Sequence, residues 1–122
     1  MRVMIVDDST LARMALASTV ATLYPNLRQI EARNADAAMG LVLAEHIDIA
    51  LIDYNMPGRD GLSLAADLRD LYPETPMALI SGNFQAGIID RVKELNLTFL
   101  QKPRWHNDLA IFLSNAIKQL GG

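Results

Sequence analysis

The sequence predicts an α/β protein, a parallel five-stranded sheet with helices on both faces. Short apolar runs that lack polar alternation recur along the chain, as strands buried on both faces require. Stretches with helical patterning separate them. In a chain of 122 residues, strict alternation of the two favours parallel pairing through right-handed crossovers.

The first strand is Val3-Met4-Ile5-Val6. Residues 10–23, rich in Ala, Leu and Met, follow as a helix. Leu23-Tyr24-Pro25 ends it, because proline disfavours helical geometry in the residue before it. Gln29 to Ala32 is a more polar strand, suited to a sheet edge, and residues 35–45 form the second helix. Ile49-Ala50-Leu51-Ile52 is the third strand. Leu64, Ala65, Leu68 and Leu71 then share a helical stripe that stops at a second Leu-Tyr-Pro, residues 71–73. Met77-Ala78-Leu79-Ile80 is the fourth strand, and Ile88, Ile89, Val92 and Leu95 mark the fourth helix. Thr98 to Leu100 is a short edge strand. Leu109, Phe112, Leu113, Ala116, Ile117 and Leu120 give the clearest amphipathic pattern of all.

Composition narrows the function. The 11 Lys and Arg are scattered and the net charge is −3, so a basic face for nucleic acid is not expected. The chain has no cysteine, which excludes thiol redox chemistry, disulfides and Cys-ligated zinc. The apolar run Val3 to Val6 is too short for a signal peptide and ends in two aspartates. No segment approaches the roughly 20 apolar residues of a membrane span. One soluble cytoplasmic domain with no membrane contact is the expectation.

In such a sheet, ligands bind at the carboxyl ends of the strands, near the point where strand order reverses. The residues there are Asp7-Asp8 after the first strand, Asp53 after the third, Ser81 after the fourth and Lys102-Pro103 after the fifth. Three carboxylates brought together repel one another, and one takes up a proton unless a cation intervenes. Oxygen ligands in small number suit Mg²⁺, which keeps several waters and shares its shell with a phosphate. The formal charges of Asp7, Asp8 and Asp53 then balance one Mg²⁺ plus Lys102. A phosphoryl group fits such a site, with the lysine as a point charge and the serine hydroxyl as a donor. Asp7-Asp8 taken alone reads equally well as turn and capping chemistry. His46 and His106 are expected to be solvated, and Trp105 to pack over the core.

Taken together, Asp7-Asp8-Ser9, the segment Asp53-Tyr54-Asn55-Met56-Pro57-Gly58-Arg59-Asp60-Gly61, Ser81-Gly82 and Lys102-Pro103 resemble the receiver domain of bacterial two-component response regulators. The resemblance runs from Arg2 to about Leu120, and residues 1–122 are assigned to one receiver domain. It implies a flavodoxin-like sheet of order 2-1-3-4-5 with five helices. It also implies a phosphoprotein whose phosphoacceptor is Asp53, supplied by a sensor histidine kinase or a phosphotransfer protein. By the same similarity Asp7 and Asp8 hold Mg²⁺, Asp8 more directly, with Asp53 and the backbone carbonyl of Asn55. Ser81 and Lys102 contact the phosphoryl group, and Phe99 is the aromatic that turns inward on activation. Pro57, Gly58 and Pro103 shape the loops, the last with the cis bond usual in the family.

The surface of the fourth helix, fifth strand and fifth helix is the implied output to a downstream protein. A monomer, or a dimer promoted by phosphorylation, is the implied state. Such a protein is a signalling phosphoacceptor that assists its own chemistry and is not otherwise an enzyme. Phe99 lacks a phenolic hydroxyl, so its switch rests on packing. Ser81 stands where threonine is frequent, and Arg104 where an aromatic is common. Asn55 and Asn83, neutral amides beside the site, are expected to set the lifetime of the phosphoryl group.

A docking module with a vestigial site would have lost a key residue, and none is missing. A flavin binder would be repelled at Asp7-Asp8, and a hydrolase with an aspartate nucleophile wants an acid where Asn55 stands. The chain ends at Gly121-Gly122, and a stand-alone receiver is expected over a fragment of a longer regulator.

Overall fold

Every apolar run predicted as a strand is one, and every predicted helix is present. The structure is a computed structural model that describes residues 1–83 and 85–122. The elements are β1 (Arg2–Val6), α1 (Thr10–Leu23), β2 (Arg28–Ala32), α2 (Ala35–Ala44), β3 (Ile49–Asp53), α3 (Gly61–Leu71), β4 (Met77–Ser81), α4 (Ala86–Glu94), β5 (Thr98–Gln101) and α5 (His106–Gln119). The sheet is parallel throughout with order β2-β1-β3-β4-β5. The two more polar strands, β2 and β5, are the edges, where only one neighbour must be matched.

Strand side chains alternate between two cores. Met4, Val6, Ala50, Ile52, Met77 and Leu79 face α2, α3 and α4. Val3, Ile5, Ile49, Leu51, Ala78, Ile80 and Leu100 face α1 and α5. All of these are essentially inaccessible to water, and full burial of such a side chain stabilises by about 1.5–3 kcal/mol. That double-sided demand explains why the central strands carry no polar alternation.

The helix ends follow local chemistry. Ser9, Asn34 and Asp60 cap α1, α2 and α3 by accepting the backbone N–H of Ala12, Ala37 and Ser63. Tyr24 and Tyr72, the residues before proline in the two Leu-Tyr-Pro segments, are the C-caps of α1 and α3. Trp105 is half-buried against the α1–α5 core, as expected. His46 is exposed and pairs with Asp48. His106 is exposed but stacks on the Trp105 ring at 3.9 Å, so one side of it is covered by an aromatic and not by water.

Candidate functional site

Chain order reverses between β1 and β3, and their carboxyl ends leave a crevice there. Parallel register brings the predicted residues to that edge. Asp7 N–H donates to Ala32 O at 3.1 Å and extends β1 by one residue. Asp53 is the last residue of β3 and pairs with Ile80; Ser81 is the last of β4 and pairs with Gln101. Tyr54 N–H donates to Ile80 O, and Lys102 N–H to Ser81 O. The candidate side chains therefore sit at or just past the ends of hydrogen-bonded strands.

Asp7, Asp8 and Asp53 each offer a carboxylate oxygen, and these atoms all lie within 4.8 Å of one another. Asp7 and Asp53 are each 2% exposed and Ser81 1%, and among the described residues these three are the buried polar side chains. Asp8 is exposed at the rim. Lys102 Nζ lies 2.5 Å from Asp53 Oδ1. The two form a short ion pair, and Asp53 Oδ1 is buried with the ammonium beside it.

Burial raises the pKa of Asp53, the contact with Lys102 opposes the rise, and the charges of Asp7 and Asp8 add to it. Burial also raises the pKa of Asp7, against the Ser9 N–H bond, Lys102 and Arg13. The leading cause is thus desolvation, and the mutual repulsion invoked from the sequence comes second. Three hard oxygen donors this close, two of them on buried side chains, fit a small divalent cation. The cluster can hold a metal ion.

The other predicted residues lie around this centre. Ser81 Oγ accepts Asn83 N–H at 2.9 Å, and Asn83 Oδ1 accepts Gln85 N–H at 3.0 Å. Asn83 is therefore engaged in the turn before α4. Asn55 and Pro57 are exposed, and Met56 packs against the α2–α4 core. Gly58 has φ of +81°, a conformation that favours glycine. The Lys102-Pro103 bond is cis. Phe99 is half-buried against the α2–α4 core. Arg104 is exposed, and the aromatic one position later, Trp105, covers the core in its place.

Two residues that support the site were not singled out for it in the sequence. A Cβ on Gly61 would lie 2.1 Å from Asp53 O and 2.9 Å from Ile52 Cγ2, so α3 starts in direct contact with the backbone of the cluster's central residue. Its place at the end of a Gly-rich loop was the available signal. Arg13 Nη1 donates to Asp7 O at 2.7 Å, and nothing in the local pattern announces that contact.

The family model described as response regulator receiver domain matches residues 3–113. The autoinducer 1 sensor kinase/phosphatase LuxN of Vibrio campbellii is 30% identical over 113 residues, covering 93% of this chain and 13% of that protein. The cyclic di-GMP phosphodiesterase response regulator RpfG of Xanthomonas campestris is 30% identical over 129 residues, covering 97% of this chain and 32% of that protein. The chain thus spans at most a third of these relatives. Among solved structures, the response regulator TrrA of Thermotoga maritima, in complex with Mg²⁺ and BeF, superposes with a TM-score of 0.82 at 18% identity, covering 94% of this chain and 97% of that one. The receiver domain of an HD domain-containing protein of Pseudomonas fluorescens gives 0.88 at 23%, covering 99% and 98%. The fold is the one these domains share. A phosphoacceptor fold with an acidic cluster at its β1–β3 crevice, this chain belongs to the response regulator receiver domain family of two-component systems.

Proposed function

We propose that the chain is a Mg²⁺-dependent phosphoacceptor that takes a phosphoryl group on Asp53 and acts in the cytoplasm. The observation that carries this reading is the meeting of three carboxylates and Lys102 at a buried Asp53. Asp7, Asp8, Asp53 and the Asn55 carbonyl would hold the ion, which supplies charge neutralisation for an anionic phosphoryl group. TrrA, a relative in fold, was captured with Mg²⁺ and BeF, which supports the choice of metal.

The donor is a phosphohistidine on a sensor kinase or phosphotransfer protein. An Asp53 carboxylate oxygen forms the O–P bond as the N–P bond breaks, and the electron pair stays on the imidazole nitrogen, which takes a proton from solvent. Because a carboxylate is a weak nucleophile, most of the acceleration must come from placement and electrostatics. Lys102 moves from Asp53 Oδ1 to a phosphoryl oxygen; its side chain is 38% exposed and free enough to do so. Ser81 turns its hydroxyl to the same group. That turn gives up the Asn83 N–H bond and loosens the connection to α4, and Phe99 then repacks. The α4-β5-α5 surface is the output to a downstream protein, in a monomer or a phosphorylation-promoted dimer. Leu11 and Met14 on α1, 79% and 59% exposed, lie beside the crevice and offer the donor protein apolar contact.

Mass spectrometry of the protein with Mg²⁺ and a small phosphodonor tests the reading. One phosphoryl group mapped to Asp53, lost on Mg²⁺ removal and in Asp53→Asn, is the expected result. A chain that stays unmodified while still binding a partner would favour a phosphorylation-independent docking module.

A further inference from the structure

The rim carboxylate Asp8 is exposed, yet the backbone on both sides of it is tied down. On its C-terminal side, Ser9 N–H donates to Asp7 Oδ1 at 2.9 Å. On its N-terminal side, the carbonyl of Asp7 accepts Arg13 Nη1 at 2.7 Å. Arg13 in turn is anchored through Nε to Glu31 Oε1 on β2 at 3.1 Å, with Thr10 Oγ1 at 3.5 Å from Nη2, and its side chain is only 17% exposed. Its backbone N–H donates to Ser9 O at 3.0 Å. The guanidinium thus bridges the sheet edge, the acidic turn and the first turn of α1.

We infer that Arg13 is a positioning residue for the cation site: its fork on the Asp7 carbonyl and on Glu31 holds the Asp7–Asp8 peptide plane, and so aims the Asp8 carboxylate at the ion. The inference rests on the metal reading of the acidic cluster given above. Groups that orient a metal ligand from outside its first shell typically contribute 10–100-fold in affinity. Two effects of Arg13 oppose each other here. As a nearby positive charge it repels a cation, so its removal should tighten binding. As a fixed fork it orders a ligand, so its removal should weaken binding. The multiply bonded geometry, with the bond to the Asp7 carbonyl partly buried, makes the second effect the larger.

Mg²⁺ titrations of the whole chain, followed by amide chemical shifts, separate them. Arg13→Met is expected to weaken Mg²⁺ binding about 10-fold with its thermal midpoint measured alongside. Arg13→Lys keeps the charge but cannot fork between carbonyl and carboxylate, and should fail to restore affinity. Glu31→Gln, which leaves Arg13 in place and weakens its anchor, should give an intermediate loss and serves if Arg13→Met does not fold. Unchanged or tighter Mg²⁺ binding in Arg13→Met, or full affinity in Arg13→Lys, overturns the inference. Asp8→Asn is the control: if it too leaves affinity unchanged, the metal reading itself fails.

Discussion

At Asp7 and Asp53, burial outweighs the neighbouring cations and holds both carboxyls above the ordinary value of 3.8. Groups raised on folding contribute stability below their unfolded pKa, and that contribution is lost as pH rises through the folded one. Without metal, the protein should therefore lose stability as pH climbs above 3.8 through these two titrations. Asp53→Asn removes one of the costly charges and leaves Lys102 to solvent. It should unfold at a higher temperature than wild type at pH 7 in EDTA, with the gap closing under acid. An equal or lower midpoint at pH 7 would show that Lys102 compensates fully. Gly61→Ala acts on the same centre through sterics, since the added methyl meets Asp53 O at 2.1 Å. Overpacking of this kind costs about 1–3 kcal/mol, measurable by urea unfolding, and displaces Asp53 as well. Wild-type stability together with wild-type phosphorylation would refute the contact.

Among the elements, the strands were legible because burial on both faces leaves an unbroken apolar run, as at Ile49–Ile52, and the polar edges β2 and β5 were legible for the opposite reason. The acidic cluster of the candidate site was legible because strand ends carry it. What escaped were contacts from side chains to distant backbone. Arg69 donates to the carbonyls of Tyr72, Pro73, Thr75, Leu95 and Asn96, clasping the α3–β4 and α4–β5 connections. Its acceptors are main-chain atoms, which any residue supplies, so no pattern marks them. With the C-terminal end of α4 held this way and, among the described residues, no side chain capping its N-terminus, the proposed switch would move the end beside Ser81. Phe99→Ala should then leave phosphoryl uptake near normal but uncouple it from partner binding. Couplings of this kind are worth about 5-fold or more in affinity, and the ratio between phosphorylated and unphosphorylated forms should fall toward one. A full response in Phe99→Ala, measured by titrating the partner, would place the switch elsewhere.

For the whole molecule, the fold explains how residues far apart in the chain meet. Asp7 and Asp53 are brought together by β1–β3 pairing, and Lys102 is brought to Asp53 across β4 and β5. The two cores hold the sheet between its helical layers, so the crevice is preformed and the proposed chemistry would need only an ion and a donor. A crystal structure of the protein soaked with Mg²⁺ and beryllofluoride tests this most directly. The expected result is one ion between Asp7, Asp8 and Asp53, the beryllofluoride bonded to an Asp53 carboxylate oxygen, and Lys102 and Ser81 turned onto its fluorines. A crevice that takes up neither the ion nor the beryllofluoride, with Lys102 still on Asp53 Oδ1, would contradict it.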